Sequence, residues 1–151
     1  MFWRVRSVIV ASALLGVLVS GPGSAAAAEW HPPVEGGIML VGFGIPYPGG
    51  THRGVDIAAE SGAEVASPAA GTISFAGQVP ADGGGTCTAI TLELADGRKM
   101  SLLPLQGADV VAGEGVEAGQ VLGLLASAGD DSAATPHLHV SLRSGDLYLD
   151  P

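Results

Sequence analysis

Short apolar runs broken by glycine turns at close intervals constrain the fold of this chain more than any other feature. Beyond residue 63 no apolar stretch has the length and the 3.6-residue period of an amphipathic helix. The pattern is typical of an all-β sandwich or barrel. The candidate strands cover residues 64–66, 71–76, 86–94, 99–103, 120–126 and 137–143. Asp96-Gly97, between two of these strands, indicates a hairpin, so we predict an antiparallel β-sandwich or half-barrel with little helix.

Two histidines lie two residues apart in the last candidate strand, in the stretch Pro136-His137-Leu138-His139. Side chains at positions i and i+2 of a strand point to the same face, about 6.5–7 Å apart along the chain. His137 and His139 are therefore predicted to project together, so that one can bind a metal while the other stands beside the ligand that the metal activates. The pattern is weak by itself, because a polar strand edge also accounts for it.

His52 and Asp56, four residues apart, add a third imidazole and a carboxylate. Gly50 and Gly54 favour a loop that leads into a short strand over residues 55–58. Two imidazole nitrogens and one carboxylate oxygen make a three-ligand zinc set with an open fourth position. Asp56 has apolar neighbours in sequence, a setting that a carboxylate avoids without a cation or donor, although capping of a turn is the simpler interpretation. Together the two motifs predict a zinc site.

In these motifs the chain resembles the lysostaphin/LytM-type zinc endopeptidases of bacterial cell walls. The matching segments are residues 52–58 (His-Arg-Gly-Val-Asp-Ile-Ala), 65–73 (Val-Ala-Ser-Pro-Ala-Ala-Gly-Thr-Ile), 116–123 (Val-Glu-Ala-Gly-Gln-Val-Leu-Gly) and 136–139 (Pro-His-Leu-His). They occur in the order of the family, over nearly all of residues 30–151. The resemblance implies a duplicated hybrid motif fold, zinc ligands His52, Asp56 and His139, and a catalytic His137 near the water on the metal.

One position departs from the family pattern. The family usually has a further histidine in a Tyr-x-His-Leu segment, and the equivalent stretch here is Leu102-Leu103-Pro104-Leu105. Pro104 therefore replaces a group that would share proton transfer or oxyanion stabilisation with His137, since proline has no titratable or hydrogen-bonding side chain. We predict that Pro104 lies at a strand end, where its loss would cost little.

The first 28 residues resemble a secretory signal peptide. Arg4 and Arg6 precede an apolar run over residues 8–19, and three alanines offer a cleavage site before Glu29; an uncleaved anchor is the alternative.

Residues 29–151 are predicted to form one domain, with 29–50 as an irregular leading segment that lays Trp30, Phe43 and Tyr47 over it. Four basic and fifteen acidic residues give this part a formal charge of −11, which argues against nucleic acid or anionic lipid as a partner.

Two functions from different classes fit these observations. The first is a secreted zinc metalloendopeptidase that hydrolyses peptide bonds of cell-wall peptidoglycan, with a rate weakened by Pro104. The second is a non-catalytic domain that binds wall peptides or regulates a partner wall hydrolase. Cys87, the only cysteine, is predicted to be a small buried apolar residue in the strand over residues 86–94; a Cys/His nucleophile finds no support in the residues around it.

Overall fold

A computed structural model describes residues 30–47, 50–81, 84–127 and 133–151. The predicted signal peptide lies outside these ranges. The described residues form twelve strands and no helix, and therefore no helix with the length and hydropathy of a membrane span. The strands are β1 Ile38–Val41, β2 Pro46–Tyr47, β3 Gly50–Thr51, β4 Val55–Ala58, β5 Glu64–Ala66, β6 Gly71–Pro80, β7 Thr86–Glu93, β8 Lys99–Ala108, β9 Gly115–Val116, β10 Val121–Leu125, β11 His137–Ser144 and β12 Leu147–Leu149.

Ten of these strands form one sheet, in which every recorded pairing is antiparallel. The sheet runs in the order β1-β4-β11-β8-β7-β6-β9, with β10 paired to β5 and β8, and with β12 paired to β11. β2 and β3 form a separate two-stranded sheet. The predicted all-β antiparallel fold is confirmed, as is the hairpin at Asp96-Gly97, where Gly97 has a φ of 81°.

The core consists of aliphatic side chains from both halves of the sheet. Ile73, Ile90, Leu92, Leu102 and Leu138 are fully buried. Each contributes about 1.5–3 kcal/mol relative to an exposed position. Because these residues come from β6, β7, β8 and β11, the core fixes β11 against β8 and so positions the strand that carries the paired histidines.

The leading segment is more ordered than the sequence predicts. Its apolar run forms β1, which pairs with β4 through Ile38 opposite Ala58 and Met39 opposite Ile57. The side chains of β1 are nevertheless largely exposed, at 69% for Ile38 and 64% for Met39. The proline and glycine residues around this run of four apolar residues predict an irregular segment, but backbone pairing with β4 makes the run a strand. Trp30 is also 53% exposed.

Pro104 lies inside β8, so the prediction that it ends a strand is wrong. β8 continues past the proline because it changes partners there. Up to Leu103 it pairs with β11, and from Leu105 to Ala108 it pairs with β10. Its register with β7 shifts over the same residues, which marks a β-bulge. A bulge releases a residue from the hydrogen-bond ladder, and this is where proline is tolerated within a sheet. The Leu103–Pro104 peptide bond is cis.

Candidate functional site

Asp56 and His139 are cross-strand neighbours at the centre of the sheet. β11 lies between β4 and β8, with His139 opposite Asp56 on one side and opposite Leu103 on the other. Residues that face each other across an antiparallel pair have Cβ atoms about 4.5–5.5 Å apart on the same face. The distance between His139 Nδ1 and Asp56 Oδ1 is 2.8 Å. The register of β4 and β11 therefore brings together two residues that lie 83 positions apart.

His52 reaches the same place from the loop before β4. Its backbone N–H donates to the Ile45 carbonyl, and its carbonyl accepts from the Gly44 N–H, both at 2.9 Å. Its ring Nδ1–H donates to the Gly42 carbonyl at 3.0 Å. Since Nδ1 then carries the proton of the neutral ring, the lone pair lies on Nε2, which faces Asp56 and His139. The turn after β1 thus sets both the orientation and the tautomer of His52.

Three potential ligand atoms converge at this point. His52 Nε2 lies 3.1 Å from Asp56 Oδ1 and 3.1 Å from His139 Nδ1, which completes a triangle with the 2.8 Å contact. The corners of a tetrahedron around a zinc ion with bonds of 2.0–2.1 Å lie about 3.3 Å apart, so the triangle fits such an ion to within about 0.5 Å. Asp56 is fully buried and His52 is 4% exposed. Acceptor atoms packed this closely require a shared cation or proton, and a metal ion satisfies all three contacts at once.

Gly54 allows the His139 ring to occupy its position. A Cβ on residue 54 would lie 2.8 Å from both Cε1 and Nε2 of that ring, and closer still to the Val140 carbonyl oxygen. Both distances are shorter than an ordinary contact of about 3.5–4.0 Å. Only a glycine lets the loop between His52 and Asp56 pass this close to β11. The cluster therefore depends on Gly54 as well as on the two proposed ligands of this motif, His52 and Asp56.

His137 lies beside the cluster on the same face of β11. Its ring is fully buried, and its Nδ1–H donates to the Thr135 carbonyl at 2.7 Å. Its Nε2 lies 3.8 Å from Asp56 Oδ1, longer than a hydrogen bond. The sequence prediction that His137 and His139 project together agrees with this placement. The roles of ligand and catalytic residue stay predictions.

An open groove of about 1060 Å³ crosses the sheet at the cluster. This central groove is lined by residues of β6, β7, β8 and β11, together with the loop that carries His52; Pro104 and His139 both face it. Sequence reasoning missed Tyr47, whose ring meets His52 edge-on at 6.4 Å between centroids, and the Gly42 carbonyl. Every residue has a backbone carbonyl, so the sequence does not indicate which carbonyl accepts a hydrogen bond from His52. The two arginines that line the groove, Arg53 and Arg143, were noted only as charges.

Comparison with known proteins gives matches over most of the chain. The family model for peptidase family M23 matches residues 50–151, and no curated protein matches. The antimicrobial peptidase lysostaphin from Staphylococcus simulans is 31% identical, with a TM-score of 0.67 over 83% of this chain and 53% of that one. This chain thus spans about half the length of that protein. It covers 89% of the lysostaphin catalytic domain, at 31% identity and a TM-score of 0.64 over 76% of this chain. A zinc containing peptidase from Vibrio cholerae has the same fold, with a TM-score of 0.68 and 24% identity over 82% of this chain and 39% of that one.

Proposed function

This chain belongs to peptidase family M23, and from that premise we propose that it is an exported zinc endopeptidase that hydrolyses peptide bonds of bacterial cell-wall peptidoglycan. The observation that carries the proposal is the triangle of His52 Nε2, Asp56 Oδ1 and His139 Nδ1, at the edge of an open groove. Lysostaphin, the relative at 31% identity, is an antimicrobial peptidase, and the Vibrio cholerae neighbour is described as zinc containing.

His52, Asp56 and His139 would hold the zinc ion as two neutral imidazoles and one carboxylate. When bound, the ion would polarise a peptide carbonyl and activate a water for attack on it. The protein's contribution is orientation. The Gly42 carbonyl fixes the tautomer of His52, and the pairing of β4 with β11 fixes the distance from Asp56 to His139. Groups behind the ligands that fix tautomer and geometry typically change metal affinity by about 10- to 100-fold.

His137 is suited to accept a proton. Because its Nδ1–H donates to the Thr135 carbonyl, the neutral ring carries its lone pair on Nε2, the atom that faces the cluster. We assign it the role of general base, and the imidazolium that it becomes can then donate to the developing oxyanion. His137 thus performs one after the other the two tasks, proton transfer and oxyanion stabilisation, that a pair of histidines would share.

Pro104 is the observation that favours a second function, a non-catalytic domain that binds wall peptides or regulates a partner wall hydrolase. Pro104 lines the groove, so a side chain at this position would face it. Proline supplies no proton donor or acceptor there. Loss of one such partner typically costs about 100- to 1,000-fold in rate, which leaves a slow enzyme rather than an inactive one.

Export is part of the proposal. Residues 1–28 have the basic, apolar and small-residue regions of a signal peptide, and residues 29–151 are proposed as the mature peptidase domain. With a formal charge of −11, this part is not retained on anionic wall polymers by charge, so the peptidase is proposed to act in the wall as a diffusing protein.

Metal analysis followed by wall digestion tests the proposal. The mature protein is purified without added metal, and zinc per chain is measured by mass spectrometry; we expect one equivalent. The zinc-loaded protein is then incubated with purified sacculi, and new amino groups are counted. A protein without zinc contradicts the metal assignment. If the protein is fully loaded with zinc but releases no amino groups from any sacculus, the endopeptidase proposal is wrong. The non-catalytic binding or regulatory domain is then the remaining function.

A further inference from the structure

The basic residues of residues 29–151 divide into two pairs with different surroundings. Arg98 forms an ion pair with Asp96 at 2.7 Å, and Lys99 forms one with Glu93 at 3.2 Å. Arg53 and Arg143 both line the central groove. Within the described ranges, neither has a carboxylate within 4.0 Å, and no acidic side chain lines the groove. Among the described residues, the charged side chains of lysine, arginine, aspartate or glutamate that line the groove are these two arginines.

Tyr148 is a neighbour of both arginines. The Arg53 guanidinium carbon lies 5.3 Å from the centroid of the Tyr148 ring, a cation–π contact. Arg143 lies directly opposite Tyr148 in the pairing of β11 with β12, so the Cβ atoms of these two residues are about 4.5–5.5 Å apart. Tyr148 is therefore in contact with the Arg53 guanidinium and is the cross-strand neighbour of Arg143.

The distance from this pair to the metal cluster follows from the strand. His139, Ser141 and Arg143 lie on one face of β11 at successive i+2 positions, which places Arg143 about 13 Å along the strand from His139. Ser141 lies between them, opposite Ser101, whose hydroxyl is 2.9 Å from the Thr91 hydroxyl. This floor of short hydroxyl side chains leaves room for an extended peptide. A distance of 13 Å corresponds to about four residues of extended chain.

We propose that Arg53 and Arg143, which both neighbour Tyr148 and line the groove, bind a carboxylate of the substrate, about four residues from the peptide bond at the metal cluster. Guanidinium groups bind carboxylates through paired, charge-assisted hydrogen bonds. The attraction must be local, because the net charge of the protein repels anions at long range. The subsite selects peptides that carry a free carboxylate over uninterrupted glycine bridges, whose interior offers none. This inference rests on the proposed peptidase function.

Equilibrium binding tests the subsite without relying on catalysis. Acetylated penta-alanine with a free C-terminal carboxylate is compared by calorimetry with the same peptide as its amide, on the zinc-loaded protein in 50 mM salt. A third peptide is the amide with its last alanine replaced by glutamate, which separates a side-chain carboxylate from a terminal one. We expect the acid to bind about 10-fold more tightly than the alanine amide, the value for one charged hydrogen-bond partner. The advantage should shrink at 500 mM salt.

Matched arginine variants locate the effect. Arg143→Gln and Arg53→Gln should each reduce the acid-to-amide ratio toward one, Arg143→Lys should keep part of it, and Arg98→Gln should leave it unchanged because Arg98 already pairs with Asp96. Equal affinity for acid and amide, undetectable binding of the acid, or a comparable loss in Arg98→Gln would overturn the proposal. If the protein hydrolyses sacculi while acid and amide bind equally, only the subsite is wrong. If the acid binds more tightly than the amide but the protein hydrolyses nothing, the subsite proposal stands and the peptidase proposal is wrong.

Discussion

Replacing Gly54 by alanine is expected to damage the metal cluster without touching a ligand. The new Cβ would lie 2.8 Å from Cε1 and Nε2 of the His139 ring, and nearer to the carbonyl oxygen of Val140. Gly54 does not have a positive φ, so alanine meets no backbone strain of its own there. The effect of the substitution therefore reports the close approach of the loop to β11 and nothing else.

The magnitude follows from these contacts. To restore an ordinary separation of about 3.5 Å, the His139 ring must retreat by about 0.7 Å. Metal sites tolerate about 0.2 Å in ligand distance, so zinc affinity should fall by at least about 10- to 100-fold. The Val140 oxygen belongs to a backbone that pairs with Val55 and cannot rotate away. Overpacking of this kind costs about 1–3 kcal/mol, and a backbone contact puts the expected loss of unfolding free energy near 3 kcal/mol.

Two assays measure the two effects separately. Urea unfolding followed by far-ultraviolet circular dichroism, in the presence of a chelator, gives the free energy of unfolding of the metal-free protein. Competition with a chromophoric chelator gives the zinc affinity. Gly107→Ala is the matched control, because Gly107 lies in β8, has no positive φ, and has no atom within 4 Å of an added Cβ. Its free energy of unfolding should stay within about 1 kcal/mol of the wild type.

The reasoning is refuted if Gly54→Ala matches Gly107→Ala in both assays. Unchanged stability would show that the loop moves away from Val140 at no cost. Unchanged zinc affinity with reduced stability would show that the position of the His139 ring does not limit metal binding.

Asp56→Ala should lose most of the bound zinc, measured by mass spectrometry, whereas His31→Ala should retain it because the His31 ring is exposed and lies outside the cluster; zinc at one equivalent in the aspartate variant would rule out that ligand. His137→Ala should keep its zinc and lose hydrolysis of sacculi, and loss of both would mean that the residue serves the metal site rather than proton transfer. Pro104→His should raise the rate of hydrolysis by about 100-fold, as a second imidazole would; no gain in a folded, zinc-loaded variant counts against the assignment of this position. N-terminal sequencing of exported protein should begin near Glu29, and a start at Met1 would contradict cleavage.

The residues of the candidate site could be predicted from the sequence, but their arrangement could not. The spacing of His52 and Asp56, and of His137 and His139, is enough to predict a metal site from the sequence. Which pairs face each other depends on the register of β4 against β11, which joins strands 83 residues apart. The alternation of apolar and polar residues along a strand predicts which side chains share a face of the sheet. It does not predict which distant strand pairs with that strand.

Two errors have the same physical origin. The proline and glycine residues around the four apolar residues of β1 predict an irregular segment, whereas backbone pairing with β4 makes this stretch an edge strand. Pro104 was placed at a strand end because proline is normally excluded from a strand interior. β8 continues through a bulge because it exchanges β11 for β10 as its neighbour, and this exchange is a property of the whole sheet.

From the position of β11 in the sheet, we expect its insertion to be a late step in folding. The strand is eleventh of twelve in chain order, yet it lies in the interior of the sheet between β4 and β8. Until it inserts, β4 and β8 each keep an open edge, and the proposed ligands His52 and Asp56 lack their third partner, His139. Contacts between segments this far apart in sequence form slowly, because the intervening chain must first give up its freedom. We therefore expect capture of the proposed zinc ion to be coupled to closure of the sheet, so that the rate at which refolding protein takes up zinc reports the insertion of β11.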